Sequence, residues 1–305
     1  KDEKVNVMLK ATPKDVPAYV VFCTQKGIIK RTNISEFENI RTNNCNFPVE
    51  DQYYAKDNIA IVVDGITRDP VGVLDLNSVS FSEFLKKYPR PSGAELAAKE
   101  IVKTFKFTNS NLKEKLIECN ESIKKLNKKY IKDCDYLQND YYGAVASTAL
   151  IENGYLNYAY ICDCGVIVYD KNGNVKFQTE DDKEKYSDPY CNNIGIPWNL
   201  PEARVIVRRD YRNNLNNIKD GRCVSFGALT GEDSAIFFIK EGKIKLDIND
   251  IVIVYSDGFT PLLHIKEFIN EIINFNKTSF ENYIKKISKI DYEKYGKEKT
   301  LIIMK

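Results

Sequence analysis

Apolar residues recur along this chain with two different periods, and the change from one to the other divides it. Residues 17–23, 52–55 and 59–63 carry short β-branched or aromatic runs that predict strands. The polar stretch 24–48 between the first two reads as a hairpin or loop. Residues 92–105 place apolar side chains at helical spacing behind a Ser-Gly start, and 109–131 repeats the pattern with Leu112, Leu116, Ile117, Ile123 and Leu126. From Gly143 the period shortens to two. Strands are expected over 143–152, 156–162, 165–170 and 175–179, with Asn153-Gly154 and residues 171–174 as turns. Residues 180–204 hold Pro189, Pro197 and Pro201 and predict a long loop. Strands resume over 203–207, 235–239 and 251–255. A helix pair fills 261–287, and 300–304 is a last strand. This order predicts an α+β layered fold. No repeat, low-complexity run or linker marks a boundary, so 1–305 is read as one domain.

Two of the predicted strands end in the same way. Ile59-Ala60-Ile61-Val62-Val63 runs into Asp64-Gly65, and Ile251-Val252-Ile253-Val254-Tyr255-Ser256 runs into Asp257-Gly258. The glycine reads as the turn that ends each strand. Both carboxylates then stand at strand ends, where they can face a cleft. Brought together they would repel unless a cation lay between them, and a divalent metal with oxygen ligands meets that need.

Composition narrows the chemistry. The 305 residues suffice for a sizeable core, and 43% hydrophobic with 29% charged residues is ordinary for a soluble globular protein. Lys and Arg number 45 against 43 acids, so the charge of +2 gives no basis for a nucleic-acid or membrane partner. No apolar run approaches the ~20 residues of a membrane helix, and no signal peptide is visible. The cysteines (Cys23, Cys45, Cys119, Cys134, Cys162, Cys164, Cys191 and Cys223) form no CxxC pair, and His264 is the one histidine. Zinc and a disulfide framework are therefore poor fits, and reduced structural thiols in a cytoplasm are expected. Cys162 and Cys164 would share a face, as packing residues do. The Lys-, Asn- and Ile-rich composition fits an AT-rich bacterial genome.

Five motifs in order resemble the metal-dependent protein phosphatases of type 2C. Pro48-Val49-Glu50-Asp51 stands where the family has its Glu-Asp element, and Val62-Val63-Asp64-Gly65 where it has a strand ending in Asp-Gly. Gly143-Ala144-Val145-Ala146-Ser147-Thr148-Ala149 corresponds to its Gly-Ser/Ala-Thr-Ala strand. Cys162-Asp163-Cys164 follows a strand in the place of Gly-Asp-Ser/Cys, and Asn249-Asp250 leads to Ser256-Asp257-Gly258. The resemblance spans residues 50 to 304. It implies a four-layer α/β/β/α sandwich of two central antiparallel sheets flanked by helices. It also implies hydrolysis of phosphoserine or phosphothreonine on a protein by a water activated between two Mn²⁺ or Mg²⁺ ions. By match, Asp64 bridges the ions, the Gly65 carbonyl binds one and Asp257 the other. Glu50 and Asp51 hold metal-bound waters, and Asp163 serves a third ion. The implied enzyme is a cytoplasmic monomer in signalling, with a phosphoprotein as its partner.

The pattern departs from the family in three places. Lys297 takes the usual slot of the last metal acid, which leaves Glu298 or Asp291 to supply the carboxylate. Asn46 stands where a phosphate-binding Arg is expected, so Arg41, Arg208 or Arg209 would take that role. Ile66 replaces a His found after Asp-Gly in many eukaryotic members. Plainer readings exist for several residues. Glu50-Asp51 alone is an ordinary solvated pair, and Asp163 can be a strand-end cap. Arg208-Arg209-Asp210-Tyr211-Arg212 either grips a phosphopeptide or forms a surface salt-bridge patch. His264 reads as a surface residue, and the lysine runs at 124–129 and 285–289 as solvated helix faces. Two rival functions follow: a non-catalytic phosphatase-like module that binds a partner, and a hydrolase of small phosphorylated molecules. Lys26–Thr32 with Ser35–Phe37 also resembles one repeat of the C-terminal domain of DNA gyrase A. One repeat cannot close such a sheet, so it reads as a hairpin.

Overall fold

The structure, a computed structural model, describes residues 49–69, 86–107, 111–182 and 200–304, positions 83 and 196, and the backbone of strands at 19–23, 29–33 and 40–42. Two antiparallel sheets are stacked face to face. The first is ordered β2-β1-β14-β13-β8-β9, with β3 also pairing β14. Its strands are β1 (Tyr19–Cys23), β2 (Ile29–Asn33), β3 (Ile40–Thr42), β8 (Gly165–Tyr169), β9 (Val175–Gln178), β13 (Ile251–Tyr255) and β14 (Lys299–Met304). The second is ordered β12-β7-β6-β5-β4. It comprises β4 (Gln52–Lys56), β5 (Ile59–Gly65), β6 (Ala144–Glu152), β7 (Tyr155–Ile161) and β12 (Lys240–Lys245).

Helices cover both outer faces. The pair α1 (Gly93–Phe107) and α2 (Leu112–Tyr130) packs on the second sheet. The first is covered by α4 (Lys266–Ile273) and α5 (Lys277–Ile290), and α3 (Pro201–Ile206) and α6 (Tyr292–Tyr295) are short. The expected four layers are therefore present. Ser92 caps α1 by accepting the Glu95 N–H at 3.0 Å. Asn111 and Glu114 form a capping box on α2, whose Leu112, Leu116, Cys119 and Ile123 make one buried stripe. Asn153 (φ 52°) and Gly154 (φ 76°) make the tight turn joining β6 to β7.

Three apolar clusters hold the layers. One lies between the second sheet and α1–α2, one between the first sheet and α4–α5, and one between the sheets. Alternation along single strands sorts residues among them. Ala60 and Val62 of β5 face the other sheet, while Ile61 and Val63 face the helices. Burial on both faces is why this strand and β13 read as unbroken apolar runs.

Three expectations are corrected. Residues 203–207 are not a strand. Pro201 starts α3 there, and a π turn over Val207–Tyr211 continues it. Residues 235–239 lie in a 3₁₀ turn, Asp233–Phe238, and the strand follows at β12. That strand, Lys-Glu-Gly-Lys-Ile-Lys, carries no apolar run because it is a sheet edge guarded by lysines. The stretch 24–48 does hold the expected hairpin, β2 paired with β1, and β3 as well. Asn46 and most of the expected 180–204 loop lie outside the described residues. Cys162 and Cys164 sit in one core cluster, but in the turn after β7 rather than on a strand. His264 is exposed. No helix among the described residues is long and apolar enough to cross a membrane.

Candidate functional site

Strand register brings the acids to one end of the stacked sheets. Gln52 pairs with Val63 and Ala146 with Ile161, so Asp51, Asp64 and Asp163 leave the second sheet or its connections at the same edge. Tyr255 pairs with both Gly165 and Leu301, which puts Asp257 and Glu298 at the corresponding edge of the first. Parity does the rest. Asp64 continues the face of Ala60 and Val62, between the sheets. Glu298 continues the face of Ile302 and Met304, also between the sheets.

The same parity separates Lys297 from its neighbours. Lys297 is exposed, and Lys299 points to the helix side, where its Nζ donates to the carbonyls of Tyr295 (2.6 Å) and Lys297 (2.7 Å). Glu298 between them turns inward. Its carboxylate accepts the backbone N–H groups of Glu50 (2.8 Å) and Asp51 (3.1 Å) and so ties the two sheets together. Asp291 does something else. It caps α6 by accepting the Lys294 N–H at 3.0 Å.

The Asp64 carboxyl is pushed well above the usual carboxylate range, first by burial and then by the charges of Asp51, Asp257, Asp163 and Glu298. Asp51 accepts from the Ser256 hydroxyl at 2.9 Å, and Ser256 accepts the Thr300 N–H at 2.9 Å. Among the described residues, no group of three or more His, Cys, Asp or Glu side chains already stands as a ligand set for one ion. Burial and the same acids drive the Cys164 thiol up as well, so it is not a nucleophile at neutral pH.

Gly65 and Gly258 serve close approach rather than a special φ. A Cβ on Gly258 would stand 2.0 Å from the Glu298 carbonyl oxygen, and one on Gly65 would stand 3.0 Å from the Ala94 backbone and the Glu50 Cβ. Neither glycine has positive φ, so close approach is what calls for glycine at each, and both stand at the strand ends where the sequence puts a turn.

Glu50 is separated from its neighbour Asp51. It lies on the helix side of the sheet, where Tyr88 (2.6 Å) and Ser92 donate hydroxyls to its Oε1 and Thr67 (2.5 Å) to its Oε2. Burial raises its pKa, and the three hydroxyls pull the other way. Thr67 and Tyr88 carry no signal in the sequence, and Ser92 signals only a helix start.

The expected phosphate-binding arginines are dispersed. Arg208 donates to Asp69 at 2.6 Å and lies 3.6 Å from Asp140. Arg209 is exposed and makes a bidentate pair with its neighbour Asp210, at 2.7 and 2.8 Å. The Arg41 backbone pairs with Thr300, and its side chain lies outside the described residues.

Compared by sequence, the chain matches no family model and no curated protein. Its fold is shared with solved phosphatases. The catalytic domain of the serine/threonine protein phosphatase PstP, in complex with two manganese ions, aligns at a TM-score of 0.53 and 12% identity, over 94% of this chain and 97% of that one. The Mycobacterium tuberculosis phosphatase PstP/Ppp aligns at 0.52 and 15%, over 88% and 95%. The S. agalactiae serine/threonine phosphatase aligns at 0.50 and 12%, over 87% and 97%. The chain has the fold of the bacterial type 2C phosphatases.

Proposed function

We propose that this chain is a metal-dependent phosphatase that removes the phosphoryl group from phosphoserine or phosphothreonine on a protein. The observation that carries the reading is the set of four carboxylates gathered around Asp64, with its pKa driven up by burial and by them. A protein keeps such a group of like charges where a cation binds or an acid acts. The donors are all oxygen, which suits a hard divalent ion such as Mn²⁺ or Mg²⁺. Asp64, Asp257, Glu298 and the Gly65 carbonyl would hold two ions, and Asp163 a third. When bound, the ions neutralise charge on the phosphoryl oxygens and make a water acidic enough to act as the nucleophile.

The chain's own groups set the geometry. Glu298 fixes the Glu50-Asp51 backbone against β14, and the Ser256 hydroxyl orients Asp51 beside Asp64. Glu50 anchors the segments that carry Thr67, Tyr88 and Ser92, and thereby fixes the start of α1 against Gly65. The solved neighbours carry the name serine/threonine phosphatase, which supports a phosphoprotein as the partner. The scattered cysteine spacing, with no CxxC pair, fits a cytoplasmic setting.

A second reading has its own support. The lack of a ready ligand set among the described residues, with Lys297 in the usual metal slot, favours a phosphatase-shaped module that binds a partner without turnover. Mn²⁺ titration by calorimetry, paired with phosphopeptide hydrolysis on wild type and Asp64→Asn, separates the two. The phosphatase reading expects metal binding and turnover in wild type, with turnover falling about a thousandfold or more in the variant. A folded wild type that takes up no metal and hydrolyses nothing sinks it. Turnover of p-nitrophenyl phosphate and small metabolites, but not of phosphopeptides, would move the assignment to a small-molecule hydrolase.

A further inference from the structure

Lysines on several elements already face a carboxylate, as Lys99 does Glu95, Lys113 Glu241, Lys176 Asp250 and Lys240 Asp182. The stretch from the end of α5 to the start of β14 is different. Its five lysines, Lys285, Lys286, Lys289, Lys294 and Lys297, are all exposed, and residues 282–297 set only Asp291 and Glu293 against them. Among the described residues one carboxylate pairs with these lysines, that of Glu281, 3.9 Å from Lys285. The Asp291 carboxylate accepts the Lys294 N–H as the cap of α6, and the Glu293 side chain lies outside the described residues. A second basic spot, Lys219 and Arg222 around Asp220, is carried on the short hairpin of β10 (Ile218–Lys219) and β11 (Arg222–Cys223), which pairs with neither main sheet. The lysine stretch, by contrast, is mounted on the first sheet beside the acids.

Helical spacing lines the charges up. Lys289 follows Lys285 by four residues and Lys286 by three, so the three share the solvent face of α5. Phe280, Ile284 and Ile287 on the other face hold the helix to the first sheet. The Ser288 hydroxyl donates to the Tyr295 carbonyl at 2.8 Å and ties α5 to α6. Lys299 Nζ donates to that same carbonyl and to the carbonyl of Lys297. The next carbonyl, of Glu298, lies so close to Gly258 that a Cβ there would stand 2.0 Å from it, and Gly258 follows Asp257. Lys297 is thus fixed one residue from Glu298 of the acidic cluster, and the other lysines lead away from it along α6 and α5.

We infer that this lysine strip docks an acidic segment of the substrate protein, and so selects substrates with acidic residues beside the phosphorylated one. Charge complementarity carries the inference. A row of exposed like charges repels itself and attracts an acidic chain, and such contacts act on encounter and on partner choice even where each is weak. A peptide fits better than an anionic membrane. Ile290 and Tyr292 are exposed within the strip, but exposed Asp291 stands between them. A flat bilayer that reached Lys297 would also meet the carboxylates beside it, whereas a chain can follow the lysines alone. The phosphorylated residue rests on the phosphatase reading; the docking of an acidic chain does not.

The test pairs two readouts on the Mn²⁺-supplied protein. Fluorescence anisotropy follows a labelled, unphosphorylated Asp/Glu-rich peptide, and initial rates compare phosphothreonine peptides with acidic and with neutral flanks. The variants are K286E/K289E, the milder K286Q/K289Q, and K125E/K128E, which makes the same charge change on the exposed face of α2. Wild type should bind the acidic peptide, more weakly as salt rises, and show the lower KM for the acidic-flanked substrate. K286E/K289E should weaken peptide binding and raise that KM about tenfold, with kcat and the neutral substrate unchanged. K286Q/K289Q should lose less, and K125E/K128E should match wild type. Equal KM values for the two substrates in wild type overturn the inference and leave the phosphatase reading standing. An equal loss in K125E/K128E also overturns it, because net charge would then be the cause. Binding of wild type to phosphatidylserine vesicles through these lysines, with none to the acidic peptide, overturns it in favour of a membrane surface. Acidic-peptide binding through these lysines without hydrolysis of any phosphopeptide upholds the docking strip and overturns the phosphatase reading alone.

Discussion

Two groups of buried charge lie five residues apart along the chain and are built on opposite rules. At Asp64, acid faces acid: Asp51, Asp163, Asp257 and Glu298 all push its carboxyl towards the protonated form. From Asp69 onward, acid faces base. Asp69 pairs with Arg204 and Arg208, each at 2.6 Å. Asp140 takes a bidentate hold on Arg212 at 2.8 Å for both bonds, with Arg208 at 3.6 Å. Burial of the Asp140 carboxyl alone would raise its pKa. Arg212 and Arg208, helped by the Tyr141 N–H, bring it below the ordinary carboxylate value instead. Burial does not distinguish the two regions; the partner does. Paired opposite charge fixes the α3 segment to the rest of the fold, whereas at Asp64 like charges are gathered, the arrangement expected where a cation binds or an acid acts.

One isosteric change made in each region should break the comparison if it is wrong, because the expected effects have opposite sign. Asp140→Asn takes the bidentate carboxylate from buried Arg212, leaving it only Glu232 at 3.5 Å, and should destabilise the protein by roughly 3–5 kcal/mol. Asp64→Asn removes a repelling charge and should stabilise the metal-free protein by roughly 1–2 kcal/mol, the trade of stability for function seen at active sites. Urea melts of both variants without divalent ions read the two signs directly.

Metal sharpens the contrast. An ion that binds only the folded cluster at a hundred times its Kd adds about 2.7 kcal/mol of stability. Mn²⁺ should therefore raise the Tm of wild type and of Asp140→Asn alike, and leave that of Asp64→Asn almost unmoved. Acid should act on the other region. The folded pKa of Asp140 lies below its ordinary 3.8, so its contribution is fully present above that value and lost as pH falls through the lower one. The stability gap between wild type and Asp140→Asn should narrow as pH falls below 3.8. A gap that stays constant there would mean that Arg212 does not depend on the charge of Asp140.

The sequence carries the acidic cluster better than the basic network, for a physical reason. Asp64 and Asp257 follow apolar runs that are legible because both faces of their strands are buried. Glu298 is separable from Lys297 by counting back from Ile302 and Met304, since parity along a strand is local information. The aspartates that hold Arg208 and Arg212, Asp69 and Asp140, lie 68 or more residues away and leave no mark nearby. The segment that holds them is itself deceptive. Ala203–Val207 is apolar enough for a strand, and only Pro201 at the first helical position argues otherwise. Tyr88 and Thr67 are silent for the same reason: their one common feature is Glu50, reached through the fold.

The smallest expected effect concerns two residues in the left-handed region, one in each charged area. Asn213 (φ 53°) belongs to the basic network, and Cys162 (φ 64°) precedes Asp163 in the acidic one. Asparagine tolerates this conformation, and the side chain of Asn213 adds bonds at 2.8–2.9 Å to Ala228, Thr230 and Glu232. Cys162 is a buried core residue whose Cβ carries the steric cost of positive φ, about 1–2 kcal/mol. Replacing Cys162 by Gly removes that cost and loses a small buried side chain, two effects of similar size. Replacing it by Ala loses the sulfur and keeps the strain. Cys162→Gly should thus be more stable than Cys162→Ala by about 1 kcal/mol, the reverse of the order expected in a regular strand. At Asn213 no such gain is available, because Gly there forfeits the side-chain bonds, and Asn213→Gly should be clearly destabilised. Equal melts for the two Cys162 variants would show that the turn before Asp163 relaxes freely, and that strain beside the acids is no part of what separates the two regions.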